Sequence, residues 1–152
     1  MIQRIRLWSI YVALAVILLA VAVVTYWLVW PSPTFKPSTD PRQILNPGNE
    51  VKQGEYIIYQ GGGTHYTDGV FVDVYAELVD GFVLQYPPAG YVTQIGERAP
   101  QPTAKYIVPC FVPPGTYMLK ITSIFRVNPL REEILTVTTE PFQVVASDAC
   151  KT

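Results

Sequence analysis

The sequence predicts an all-β domain preceded by a single N-terminal transmembrane α-helix. Three observations predict it. From Leu7 to Trp30 no residue carries a charge. Beyond residue 50 the apolar residues recur with a period of two, as in half-buried strands. Fourteen prolines and ten glycines mark frequent turns, and no long helical pattern follows residue 31. A membrane segment of about twenty-five residues leaves roughly a hundred for one soluble domain, the commonest domain size. The net charge of −1 and pI near 5.8 provide no basic field to draw the chain to nucleic acid or acidic lipid.

The 24 residues LWSIYVALAVILLAVAVVTYWLVW span about 36 Å as a helix, enough for a hydrocarbon core of roughly 30 Å. Leu7, Trp8 and Tyr11 lie near one end; Tyr26, Trp27 and Trp30 lie near the other. Aromatic rings with polar tips favour the headgroup level, so these residues read as interface belts of an anchor. Pro31-Ser32-Pro33 then stops the helix. Arg4, Arg6 and the α-amino group precede the span, whereas Lys36 and Arg42 follow it with Asp40 between them. The positive-inside bias places residues 1–6 in the cytoplasm, 7–30 in the bilayer and the rest outside. The alternative is a cleaved signal peptide, for which Ala20-Val21-Ala22 offers a small-x-small site. Cleavage there leaves VVTYWLVW at a new N-terminus, and the length of the run favours the anchor.

Residues 31–49 carry five prolines and predict a semi-rigid linker that holds the domain off the headgroups, with an edge strand near Gln43–Leu45. The domain proper is expected over 50–152. Its strands are expected at 55–60, 69–79, 82–86, 91–95, 103–110, 116–127 and 133–145. The 69–79 run alternates best: Val70, Val72, Val74, Ala76 and Leu78 share one face, Asp73 and Glu77 the other. Asp80-Gly81 after it is a hairpin signal. Pro141 interrupts the last strand or places it at an edge.

Seven short strands with turns about every ten residues predict a two-sheet antiparallel sandwich of immunoglobulin-like type. Pro113-Pro114-Gly115-Thr116-Tyr117 resembles the tyrosine corner of such domains, with Tyr117 as the corner residue. Antibody domains are not matched further: Leu119 stands where their second cysteine belongs, and the third strand lacks tryptophan. In this frame Cys110 and Cys150 fall at the same end of the sandwich, and a disulfide between them is expected in an oxidising compartment. The other form is a buried Cys110 with a free Cys150.

No catalytic constellation emerges. His65, the only histidine, lies in Gly61–Gly69, which reads as a polar loop; His65 and Tyr66 form a possible contact tip. The glycines lack the Gly-Lys-Ser/Thr ending and the following helix of a phosphate loop. Asp68, Asp73 and Glu77 read as a solvated face rather than a calcium site, and two cysteines with one histidine predict no metal centre. Neither enzyme activity, a cofactor nor a small-molecule substrate is expected. The many tyrosines suit a rigid, polar-tolerant recognition surface where exposed.

The last third, with PPGTY, the Ile-Phe-Arg-Val-Asn-Pro-Leu-Arg hairpin and Glu-Pro-Phe-Gln-Val-Val, resembles small single-pass membrane proteins of tailed bacteriophages. These carry an immunoglobulin-like ectodomain after an N-terminal anchor. The resemblance implies the host inner membrane or a virion membrane. The leading expectation is a non-catalytic module that binds another protein outside the cytoplasm. The alternative is a structural subunit of an envelope or virion assembly, joined through an edge strand or through the small faces of Ala13, Ala15, Ala20 and Ala22.

Overall fold

The computed structural model describes residues 2–29, 34–79 and 84–150, with side chains from Trp8 onward. Helix α1 runs Ile2–Val29. It begins before the uncharged run because Ile2–Arg6 contain no helix breaker, so the first residues expected as a cytoplasmic tail are already helical. Leu7 lies within it. From Trp8 to Val29 the helix is apolar all round and none of its residues is buried. It is long and apolar enough to cross a membrane. The expected belt residue Trp30, the Pro31-Ser32-Pro33 stop and the Asp80-Gly81 turn lie outside the described residues.

The remainder is mostly β. Ten strands follow: β1 Phe35–Pro37, β2 Glu50–Lys52, β3 Tyr56–His65, β4 Phe71–Val79, β5 Leu84–Gln85, β6 Ala89–Val92, β7 Gly96–Ile107, β8 Gly115–Asn128, β9 Arg131–Thr138 and β10 Phe142–Val145. One sheet has the order β1-β3-β7. The other is centred on the antiparallel pair β4–β8. On the far edge of β4 lie β5 and β6; on the far edge of β8 lie β9 and then β10, which β2 extends. The β2–β10 pair is parallel, Val51 opposite Val144, so this sheet is mixed rather than purely antiparallel as expected.

The core lies between the sheets. Ile57 and Tyr59 from β3 and Tyr106 from β7 join Val72, Val74, Ala76 and Leu78 from β4 and Tyr117, Leu119, Ile121 and Phe125 from β8. The period-two reading of β4 and β8 therefore gives the buried faces. Outward, Glu77 pairs with Lys120 at 2.6 Å and Asp73 with Arg126 at 2.8 Å. Two of the three carboxylates read as a solvated face, Asp73 and Glu77, are thus in cross-strand ion pairs, each contributing under about 1 kcal/mol at the surface. Pro141 does interrupt the last strand. The gap between β9 and β10 is bridged by the buried Thr139, which donates its N–H to the Leu119 carbonyl and accepts the Leu119 N–H on Oγ1, both at 2.9 Å.

Two expectations are corrected. The Pro-rich segment 31–49 is no spacer from Thr34 onward. Strand β1 pairs with the end of β3, Phe35 opposite His65. Arg42 then hydrogen-bonds to Thr138 and Glu140 beside one sheet, while Gln43 and Leu45 bond to Gln60 and Ile58 of the other. Asn46, itself buried, donates Nδ2 to the Tyr56 carbonyl at 3.0 Å and accepts the Ile58 N–H at 2.7 Å. Local proline content favours an extended chain; the open edge of β3 captures it. The domain thus begins near residue 34, not 50.

The second correction concerns Gly61–Gly69. Gly61 to His65 continue β3, paired along β7. A Cβ on Gly62 would fall 2.9 Å from the carbonyl oxygens of Arg98 and Ala99, and its φ of 117° disfavours any side chain. The glycines let two backbones approach closely. His65 is buried, only 6% exposed, and is no contact tip, whereas Tyr66 is exposed. Strand β7 likewise starts earlier than expected and ends at Ile107, so Cys110 sits in the following turn.

Candidate functional site

Three places combine defined geometry with accessible chemistry: the junction with the helix, the opposite pole, and a cleft between the sheets. At the junction, Asn128 at the end of β8 donates Nδ2 to the Trp27 carbonyl at 2.6 Å. Thr34 is fully buried, and both its N–H and its hydroxyl bond to the Glu133 carboxylate on β9, the N–H at 3.3 Å. Arg131 faces the same carboxylate at 3.4 Å. The domain therefore sits directly against the end of the helix that bears Tyr26 and Trp27.

The opposite pole lies at the other end of β8, on the order of 40 Å away for a strand of 14 residues. Here Cys110 and Cys150 form the expected disulfide, with Cα atoms 5.3 Å apart across a separation of 40 residues. Tyr117 donates its hydroxyl to the Pro113 carbonyl at 2.9 Å, the hydrogen bond expected of a tyrosine corner. The same pole is knit by Gln53, which nothing in the sequence singles out. Its Nε2 donates to the Val112 carbonyl at 2.7 Å and its Oε1 accepts the Ser147 N–H at 3.3 Å.

The cleft, about 310 Å³ in volume, opens between β3, β7 and β8. Its charged lining is Arg42, Arg98 and Lys105, with no carboxylate among the lining residues. Tyr59, Tyr91 and Tyr106 supply aromatic walls, and Gly61–Gly63 form a stretch bare of side chains. The Arg42 guanidinium lies 5.7 Å from the Tyr59 ring centre, and the Lys105 ammonium 5.7 Å from that of Tyr106. Burial raises the Tyr59 and Tyr91 hydroxyl pKa values, against a lowering from nearby arginines. The Tyr106 hydroxyl is pushed up to about 12, chiefly by burial and further by Tyr59 and Tyr86. All three stay protonated donors at neutral pH.

His65 closes one end of the cleft, its ring 4.6 Å from Phe35 and 5.9 Å from Tyr91. Burial, helped by Arg98, lowers its pKa. Its Nδ1 is buried with no hydrogen-bond partner, and so is Nε of Arg42. The structure thus brings His65 together with residues that sequence reading left apart. Their gathering depends on β3 running through the glycines, for which alternation gives no signal. Among the described residues no group of three or more histidine, cysteine or acidic side chains could hold a metal ion.

Comparison with protein-family models and with curated proteins finds no match.

Proposed function

We propose that the chain is a membrane-anchored, non-catalytic module that displays an immunoglobulin-like domain outside the cytoplasm to bind another protein. One observation carries the reading: a helix apolar on every side, with no buried residue, ends directly against a disulfide-stapled β domain. Such a helix has no stable place in water and finds one in a bilayer. The disulfide fits an oxidising compartment, which agrees with an extracytoplasmic domain. The Tyr117–Pro113 corner and the parallel β2–β10 edge support the immunoglobulin-like reading. The bacteriophage resemblance would place the anchor in a host or virion membrane.

The test is photo-crosslinking in the cells that naturally carry the chain, with the reactive group at exposed positions of the domain such as Gln101 and, as a comparison, Ile134. A discrete protein adduct from one face supports the module. Absence of any adduct from every position argues against it.

A further inference from the structure

We propose that the cleft between β3, β7 and β8 is where the partner binds, and that it takes an acidic segment: a carboxylate beside an aromatic or apolar side chain. The inference rests on reading the domain as a protein-binding module. It is carried first by charge. The chain as a whole is slightly acidic, yet this cleft gathers three cations and no carboxylate. On β8 and β9, Lys120, Arg126 and Arg131 each have a carboxylate partner. Among the described residues Arg42, Arg98 and Lys105 have none. Charges concentrated in a low-dielectric cleft attract the opposite charge far more than the same charges spread over a surface.

A second observation is independent of charge. Of four buried side-chain polar atoms without partners among the described residues, the two nitrogens, Nε of Arg42 and Nδ1 of His65, are on residues that line this one cleft. A buried polar atom without a hydrogen bond is costly, so native structures rarely leave one without a water, an ion or a ligand to serve it. An incoming carboxylate accepts from the guanidinium N–H, and a peptide N–H donates to the imidazole. The aromatic walls decide the rest. The Tyr59, Tyr91 and Tyr106 rings offer apolar bodies and hydroxyl donors to a neighbouring side chain. The volume is at the low end for ligand sites and fits one or two side chains inserted from a partner. Guanidinium groups match carboxylates in bidentate geometry, which favours an acidic residue over a neutral amide.

The experiment uses the full-length chain in neutral-lipid nanodiscs and a labelled short peptide alternating glutamate with phenylalanine, read by fluorescence anisotropy. Its glutamine counterpart is the control. Arg98 and Lys105 are exposed on β7, so the double variant Arg98→Gln, Lys105→Gln keeps the fold. The acidic peptide is expected to bind about tenfold more tightly than the control, and the double variant to remove most of that difference. Equal affinity for the two peptides overturns the proposal, as does acidic binding that the double variant leaves intact. Binding of benzoate with no binding of either peptide assigns the cleft to a free organic acid and also overturns it. Cellular crosslinks that persist in the double variant keep the module reading and reject the cleft, whereas absence of crosslinks in the unaltered chain rejects the module itself.

Discussion

The Tyr117 hydroxyl reaches the Pro113 carbonyl from a ring that is 3% exposed, so removing it leaves a carbonyl unpaired with little room for water. Tyr117→Phe is expected to cost about 1 kcal/mol and to lower Tm by roughly 4–8 °C in a domain of this size, measured by thermal denaturation. His65 acts through protonation. Its pKa is held below 6.5 by burial first and Arg98 second. Between 6.5 and that lower value the unfolded chain binds a proton that the folded chain refuses. Stability is therefore full above about pH 6.5 and declines as pH falls through this window. Denaturation midpoints taken from pH 7 to 5 should fall, and His65→Gln should flatten that slope; an unchanged slope would show that other groups cause it. Tyr117 could be identified from sequence because a short motif surrounds it. Gln53 could not, because a buried glutamine is defined only by the distant carbonyl and N–H groups that fold around it.

Among elements, the segment from Thr34 to Asn49 shows tertiary pairing overriding local composition. Its prolines alone specify an extended chain, but Phe35 packs against the core and Ile44 enters it, and Asn46 clamps the backbone of β3. Asn46→Ala leaves the Tyr56 carbonyl and the Ile58 N–H unpaired. It is expected to cost roughly 2–3 kcal/mol, read as a lower urea midpoint. Strand β3 shows the complementary failure. Period-two reading depends on side chains, and Gly61–Gly63 have none, so the second half of the strand is silent in the sequence although its backbone pairs with β7 across two register shifts. Strands β4 and β8, with valine, leucine and isoleucine on alternate positions, were legible almost residue by residue. The cleft inherits both outcomes: its tyrosines lie in readable stretches, but its shape depends on the silent half of β3.

At the scale of the whole molecule, the helix and the disulfide lie at opposite ends of the domain, with β8 running between them. The bond closes a separation of 40 residues, for which loop entropy gives about 4 kcal/mol. Replacing both cysteines with serine should lower stability by up to that amount, seen as a shift in denaturation midpoint. A loss near zero would mean that Gln53 and its hydrogen bonds hold the pole unaided. Sequence supplied the long apolar helix, the β class and the cysteine pair. It did not supply the direct seating of the domain on the helix, which arises from the Asn128–Trp27 hydrogen bond across a long stretch of chain.

The central claim, an anchored domain facing an oxidising compartment, is tested most directly by topology. The measurement is protease shaving with thiol labelling of the full-length chain in bacterial spheroplasts. The account predicts that external protease removes the β domain and that Cys110 and Cys150 label only after reduction. A domain protected from outside, with both thiols labelling freely, would contradict it.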